Sequence, residues 1–411
     1  MTYDQALQYI HALRRFGVRP GLERVAALCA ALGNPQGQLR FIHVAGTNGK
    51  GSACTMLAEI AKAAGLRTGL YTSPYVTDFR ERMRVDGGMI PREDLARWTL
   101  RLKTLAEALP EPVTEFEFVT ALAFAWFAAQ GCELVVLEVG MGGRWDATNV
   151  IAPPLCSLIM RIALDHTEIL GDTLGKIAAE KCGIIKLGRP VVTACGQDAE
   201  ALAVIEDFCA RRNSALVIAQ EDECEILHTS LTGSDCMLAG LPVHVPLLGR
   251  HMCRNALAVV KTARLIGFAD GDIQTGISRV TMPARMEVLS REPLMLLDGG
   301  HNPDGARALS AALEELCPGQ RFCVVCGMMA DKDVREYLRV LRPRAGRFIA
   351  CAPENPRAMS AKKLAALARE AGYENVTAAA GPQEALRLAE YPVLICGSFY
   401  LAGTVLGSLK T

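Results

Sequence analysis

The sequence predicts an α/β protein of two domains, a large and mostly parallel sheet with a small antiparallel sheet, followed by a smaller α/β domain. Three observations carry this expectation. Apolar strand-like runs alternate with helical ones almost throughout, the pattern of a parallel sheet covered on both faces. Between residues 214 and 245 the texture changes to short pieces with glycine and aspartate turns. After Thr281-Met282-Pro283 a fresh αβ series begins, and its length suits one compact domain. The domains are therefore read as 1–283 and 284–411.

Taken in order, helical segments at 3–15 and 22–32 precede a buried strand at 40–45 and a helix at 50–64. LRTGLYT (66–72) reads as a second strand, followed by helices at 92–109 and 115–129. ELVVLEV (133–139) and residues 155–162 are two more buried strands, because short apolar runs bounded by turn residues suit a covered sheet. A helix at 252–266 returns the chain to the main pattern. The second series runs through PLMLLDGG (293–300), RFCVVCG, RFIACAP and YPVLICG.

Composition excludes several classes. Of 411 residues, 50% are hydrophobic and 21% charged, as in a folded chain rather than a disordered one. Lysine plus arginine equals aspartate plus glutamate, 44 against 44, so no charge excess points to nucleic acid or an acidic membrane. No run of about 18 apolar residues and no basic-then-apolar leader is present, so a cytoplasmic location is expected. The fifteen cysteines are scattered and odd in number. Cys323 and Cys326 lie three apart on a strand-like run and should face opposite ways, which argues for reduced thiols rather than a shared metal.

The chemistry gathers at strand ends. In FIHVAGTNGKGS (41–52) an apolar strand leads into a glycine loop and then a helix, so backbone N–H groups and the helix dipole can face one anion. Lys50 supplies a cation for the outer phosphates and Ser52 a hydroxyl suited to Mg²⁺. In LEVGMGGRWDATN (137–149), Glu138 ends a strand where ligands collect in open sheets, and Arg144 and Asp146 follow a glycine turn. Glu138 is read as facing a metal, with a strand-end salt bridge as the competing role. In LDHTEILGDTLGKIAAEKCGIIK (164–186), the His166 imidazole could ligate a cation, although Mg²⁺ prefers oxygen. Lys181 is a puzzle, since a lysine aimed at a cationic site is repelled unless it is exposed or masked. LDGGHNPDGA (297–306) places Asp298 and His301 at another strand end, where a simple turn competes. Asn255 and Arg285 are polar residues on otherwise apolar segments.

Taken together, these stretches resemble the folylpolyglutamate synthase and dihydrofolate synthase family of the Mur ligase superfamily. TSPYV (72–76), FRERMRVDG (79–87), TEFEF (114–118), PARMEVL (283–289) and CGSFYLAG (396–403) extend the likeness over essentially the whole chain. The resemblance implies a Mur-type P-loop ATPase domain, a Rossmann-like ligase domain and an active site between them. It implies an ATP-dependent amide ligase that adds L-glutamate to folates through an acyl phosphate, with dihydropteroate as a further acceptor. By the same likeness, Thr47, Asn48, Gly49, Lys50, Gly51, Ser52, Asn255, Arg285, Asp298 and His301 contact ATP. Ser73, Glu138, His166 and a carbamylated Lys181 hold Mg²⁺ in two sites, and Lys50, Lys181 and His166 serve catalysis. A CO₂-derived carbamate would turn Lys181 into an anion and resolve its puzzle.

Phe116, Phe118, Arg144 and Asp146 are the folate candidates. An aromatic in TEFEF could stack on the pterin or simply pack the start of its helix. Two departures stand out: Tyr75 replaces a common histidine, and Gly300 a common alanine. The family suggests a monomer acting on small molecules. The rival readings are a Mur-like ligase acting on another carboxylate, such as a cell-wall precursor, and an ATP-driven switch. TEFEF and FRERMRVDG argue against the first, and the second metal site argues against the other.

Overall fold

The structure is a computed structural model, and residues 1–17 and 19–409 are described. Its large sheet contains β1 (Phe41–Ala45), β2 (Thr68–Tyr71), β3 (Met83–Val85), β4 (Gly88–Met89), β5 (Leu134–Glu138), β6 (Cys156–Ile159), β7 (Val191–Thr193) and β8 (Leu216–Ile218). The spatial order is β4-β3-β2-β5-β1-β6-β7-β8. β2, β5, β1, β6, β7 and β8 run parallel, and β3 and β4 form an antiparallel edge. β1 lies at the centre with β5 on one side and β6 on the other, so its carboxyl end opens at the point where strand order switches. Open α/β sheets place ligands at that point.

Each face of this sheet is covered. On one side lies the helix Glu115–Ala129, apolar around nearly its whole circumference and buried accordingly. Thr114 and Glu117 cap its start reciprocally, with N–H···O distances of 2.7 and 3.3 Å. The helices Lys50–Ala63, Arg250–Leu265 and Asp270–Ser278 cover the other side. Gly276 makes that contact close, because a Cβ there would lie 2.4 Å from the Ile60 backbone. The antiparallel strands β9 (Cys224–Ser230), β10 (Gly233–Leu238) and β11 (Leu241–Val245) share this core.

The third sheet holds β12 (Glu287–Arg291), β13 (Leu294–Leu297), β14 (Phe322–Cys326), β15 (Ala345–Ala350), β16 (Val376–Ala378) and β17 (Val393–Cys396). Its order is β12-β13-β17-β14-β15-β16, parallel except for β12. Cys326 faces one core of this sheet and Cys323 the other, as period-2 alternation requires. Among the described residues every cysteine is a free thiol, and no helix is long and apolar enough to cross a membrane.

Several elements differ from the sequence reading. The segment read as antiparallel from residue 214 begins instead with β8, which extends the large sheet by pairing with β7 in parallel. The helix read over 3–15 ends at Ala12 and tightens into a 3-10 turn, Leu13–Phe16. β3, β4, β7, β12 and β16 and the helices Ala199–Arg211 and Asp270–Ser278 lie outside the elements read from the sequence. The strands among them have two to five residues, too short for alternation to register.

Candidate active site

β1 delivers the chain into the loop Gly46–Gly49, and the loop's shape depends on glycine. Gly46 has φ 150°, and a Cβ there would meet Met160 Cβ at 2.7 Å. Gly49 has φ 84°, and a Cβ would lie 2.9 Å from the Asn255 amide. The helix Lys50–Ala63 starts at Gly49 without a side-chain cap, leaving its first amides for a ligand. Lys50 Nζ folds back to donate to the Gly46 and Thr47 carbonyls at 3.0 and 3.2 Å. Ser52 Oγ donates to Gly49 O at 2.9 Å and accepts from Asn255 Nδ2 at 3.3 Å.

Thr47 and Asn48 are engaged differently. Both backbone amides donate to Arg161 O, at 2.9 and 3.3 Å, and Thr47 Oγ1 donates to Ala163 O at 2.9 Å. The Asn48 side chain crosses to the C-terminal domain, donating to Asp304 at 2.8 Å and accepting from Asn302 at 3.1 Å.

Beside the loop, Glu138 ends β5 at 4% exposure, and its Oε2 accepts from Ser73 N at 3.0 Å. Burial raises its carboxyl pKa, while Lys50, the Ser73 amide and Arg285 oppose the rise. A Cβ on Gly51 would lie 3.6 Å from Glu138, so this carboxylate overlooks the first turn of the phosphate-loop helix. His166 has φ 51° and an accessible ring, and its pKa is lowered by the desolvation of its surroundings against the pull of Asp165. Lys181 is 4% exposed, and its Nζ donates to Gly46 O at 2.8 Å. Burial and then the neighbouring Lys50 push this amine down to about 7. Ser52, Ser73, Glu138, His166 and Lys181 line one cleft of about 930 Å³. Among the described residues no three His, Cys, Asp or Glu side chains form a metal cage of their own. The donor set that fits a hard cation is this mixed one, with Lys181 the member whose charge must change.

The C-terminal domain supplies the facing wall. Arg285 lies 4.5 Å from the centroid of the Phe399 ring. Asp298 accepts from Met286 N at 3.0 Å and Gly300 N at 2.8 Å, and burial raises its pKa against the attraction of Arg285. Burial pushes His301 down to about 4. Two contacts that the sequence did not suggest join the walls. Lys332 Nζ donates to Asp165 at 2.8 Å, and Arg161 Nε reaches Asp304 at 3.3 Å. Burial acts to raise Asp165, yet Lys332, His166 and His301 together hold its carboxyl far below the usual range. Lys332 was findable in principle, as the cation in a polar loop at the carboxyl end of β14.

The folate candidates separate. Phe116 is half-buried and lies over Gly140, where a Cβ would meet the ring at 2.5 Å. Phe118 is corrected: it is fully buried, 5.5 Å from the Tyr9 ring, and packs the core. Two positions apart on a helix, the two rings cannot share a face. Arg144 is partly exposed outside the cleft lining, with Nε 3.7 Å from Glu180. Asp146 is buried and accepts from Met141 N, Thr148 N and Thr148 Oγ1 at 2.8, 3.0 and 2.5 Å, so it braces its own loop.

Comparison with known proteins agrees with this arrangement. Residues 44–263 match the Mur ligase middle domain, and residues 284–399 the Mur ligase, glutamate ligase domain. The chain is 36% identical to folylpolyglutamate synthase of Lacticaseibacillus casei, over 98% of each chain. It is 33% identical to dihydrofolate synthase/folylpolyglutamate synthase of Bacillus subtilis, over 100% of this chain and 99% of that one. It superposes on Mycobacterium tuberculosis folylpolyglutamate synthase complexed with ADP with a TM-score of 0.90 at 30% identity, covering 99% and 98% of the two chains. A phosphate loop facing a glutamate-ligase domain, matched over the full chain, places this protein in the folylpolyglutamate synthase and dihydrofolate synthase family of ATP-dependent Mur-type ligases.

Proposed function

We propose that this chain, acting as a cytoplasmic monomer with domains 1–283 and 284–411, joins L-glutamate to folates and also to dihydropteroate. ATP-dependent ligation of glutamate to folates is the family activity, and dihydropteroate is the finer part of the proposal. The observation that carries the reading is the buried Lys181 amine, pushed down to about 7 by burial and Lys50, in a cleft that Glu138, Arg285 and Asp298 also line. A neutral amine is the form that condenses with CO₂. The resulting carbamate would replace repulsion of Lys50 by attraction.

Ser73, Glu138, His166 and carbamylated Lys181 would hold Mg²⁺ in two positions. When bound, Mg²⁺ supplies neutralisation of the phosphates and of the charge on the moving phosphoryl group. The first amides of the helix Lys50–Ala63 and the Lys50 ammonium hold the outer phosphates. Asn255 sets Ser52, and Arg285 and Asp298 present the second wall to the nucleotide, with His301 close by. A carboxylate oxygen of the acceptor attacks the γ-phosphorus, the bond to ADP breaks, and an acyl phosphate forms. The amine of glutamate then attacks the acyl carbon, loses a proton, and releases phosphate as the amide forms. Closure of the two walls keeps water from the acyl phosphate.

The test is ADP release and product mass with dihydropteroate, dihydrofolate and reduced folates, each with and without glutamate. A glutamylated product only in the complete mixture is expected. ATP turnover indifferent to both co-substrates, or a product only with a cell-wall-type acceptor, rejects the reading.

A further inference from the structure

Arg82 holds a guanidinium within electrostatic reach of Glu115 and Glu138 but ion-paired to neither. It lies 5.5 Å from the ring centroids of both Tyr75 and Phe79. Its Nε is buried without a hydrogen-bond partner, and among the described residues no carboxylate forms an ion pair with it. Three nearby arginines are matched, Arg80 with Asp78 at 2.7 Å, Arg14 with Glu115 at 2.5 Å and Arg24 with Glu117 at 2.9 Å, whereas Arg84, like Arg82, keeps a buried Nε without a partner. Even the adjacent carboxylate is occupied, since Glu81 accepts from the amides of Val76, Thr77 and Asp78 at 2.8 to 3.0 Å. A half-buried cation without a partner is costly, and its planar fork suits a carboxylate above other anions of its size.

Its position says which carboxylate. The Arg82 carbonyl accepts from Thr72 N at 3.1 Å, and the next residue, Ser73, donates its amide to Glu138. Arg82 is also among the cations that draw the Glu138 carboxyl down against burial, so the two side chains share one electrostatic neighbourhood. Tyr75, on which Arg82 is stacked, lines the cleft. An anion held by Arg82 would lie next to Tyr75, which lines the same cleft as Ser73 and Glu138.

We propose that Arg82 binds the α-carboxylate of the folate's terminal glutamate, while the γ-carboxylate is presented for phosphorylation. This rests on the folate-ligase reading above. Dihydropteroate has a single carboxylate, the reacting one, and offers Arg82 no such partner. Arg82 is thus a specificity residue that favours acceptors already carrying glutamate.

The experiment compares binding of dihydrofolate and dihydropteroate to the wild type, Arg82→Gln and Arg82→Lys, by calorimetry with a non-hydrolysable ATP analogue present. Loss of a charged hydrogen-bond pair should weaken dihydrofolate by about tenfold or more in Arg82→Gln, with dihydropteroate and the ATP analogue unaffected. Arg82→Lys, which keeps the charge without the fork, should lose less but keep the same selectivity. It serves as the test if Arg82→Gln does not fold. Equal weakening of both acceptors, or no change in either, overturns the proposal. Failure of the wild type to form any glutamylated product would instead reject the ligase reading, and the binding comparison remains separate from it.

Discussion

Lys181 Nζ donates to the carbonyl of Gly46 at 2.8 Å, so a buried amine from one strand-end motif touches the first residue of another. The contact places Lys181 beneath the phosphate loop, where burial and Lys50 lower its pKa to about 7. If the amine carries a carbamate, Lys181→Ala should reduce ADP release by about a hundredfold or more, and bicarbonate should not restore it. A native mass spectrum of the wild type should show bound CO₂. Near-normal turnover in the variant would remove Lys181 from the mechanism.

Gly49 combines φ 84° with a Cβ position 2.9 Å from the Asn255 amide. Gly49→Ala should leave the fold intact and weaken nucleotide binding by about tenfold, since strain of about 1–2 kcal/mol falls on the loop and on the Asn255–Ser52 contact. Titration with ADP measures it. An unchanged affinity would show that the loop relaxes elsewhere.

Asp165 and Lys332 come from different domains and are mostly buried, with side-chain exposures of 14% and 11%. Lys332→Ala leaves Asp165 without its strongest partner and should lower stability by about 1–3 kcal/mol. It should also enlarge the radius of gyration seen by solution scattering, because the charge-paired cation from the C-terminal domain is lost and Asp165 keeps only the weaker contact from Asn302 at 3.4 Å. Identical scattering and an identical melting curve would dismiss Lys332 as a latch.

Gly140 and Phe116 yield a substrate-side test. A Cβ at residue 140 would meet the ring at 2.5 Å, so Gly140→Ala should displace Phe116. The KM for folate should rise while the KM for ATP holds. A rise in both, or in ATP alone, would assign the loop to the nucleotide instead.

His43 predicts the acid limit. Its ring is fully buried, Nε2 is 2.9 Å from Thr148 Oγ1, and burial followed by Lys186 pushes its pKa down to about 3. The unfolded ring binds a proton near pH 6.5 and the folded ring does not. Stability from this group is therefore full above pH 6.5 and declines as pH falls toward 3, by about 1.4 kcal/mol per unit. Chemical denaturation at pH 7 and pH 5 should show the loss, and His43→Gln should flatten it. An equal slope in both proteins would mean that other groups set the acid limit.

Much of the fold was legible because its signals are local. FIHVA is a continuous apolar run, and the glycines, Lys50 and Ser52 follow within the span of one turn and one helix start. TEFEFVTALAFAWFAA marks its own helix, with Thr114 and Glu117 as the cap and apolar residues all round. β3, β4 and β16 escaped because two or three residues carry no period, and β8 was misassigned because pairing partners are not written in the strand itself.

The alternating α/β architecture, the phosphate loop and the family are legible along the chain, since they depend on periodicity and on motifs in fixed order. Which member of each motif meets the cleft depends on packing between distant segments. Phe116 covers Gly140 while Phe118 enters the core, and Asp146 braces its own loop. Arg82 keeps a buried Nε without a hydrogen-bond partner. Lys181 becomes a near-neutral amine, and Lys332 reaches Asp165. Burial and charge at a side chain are set by segments far away in sequence, so the same residue type can be a core filler, a brace or a ligand-binding group according to what the fold packs against it.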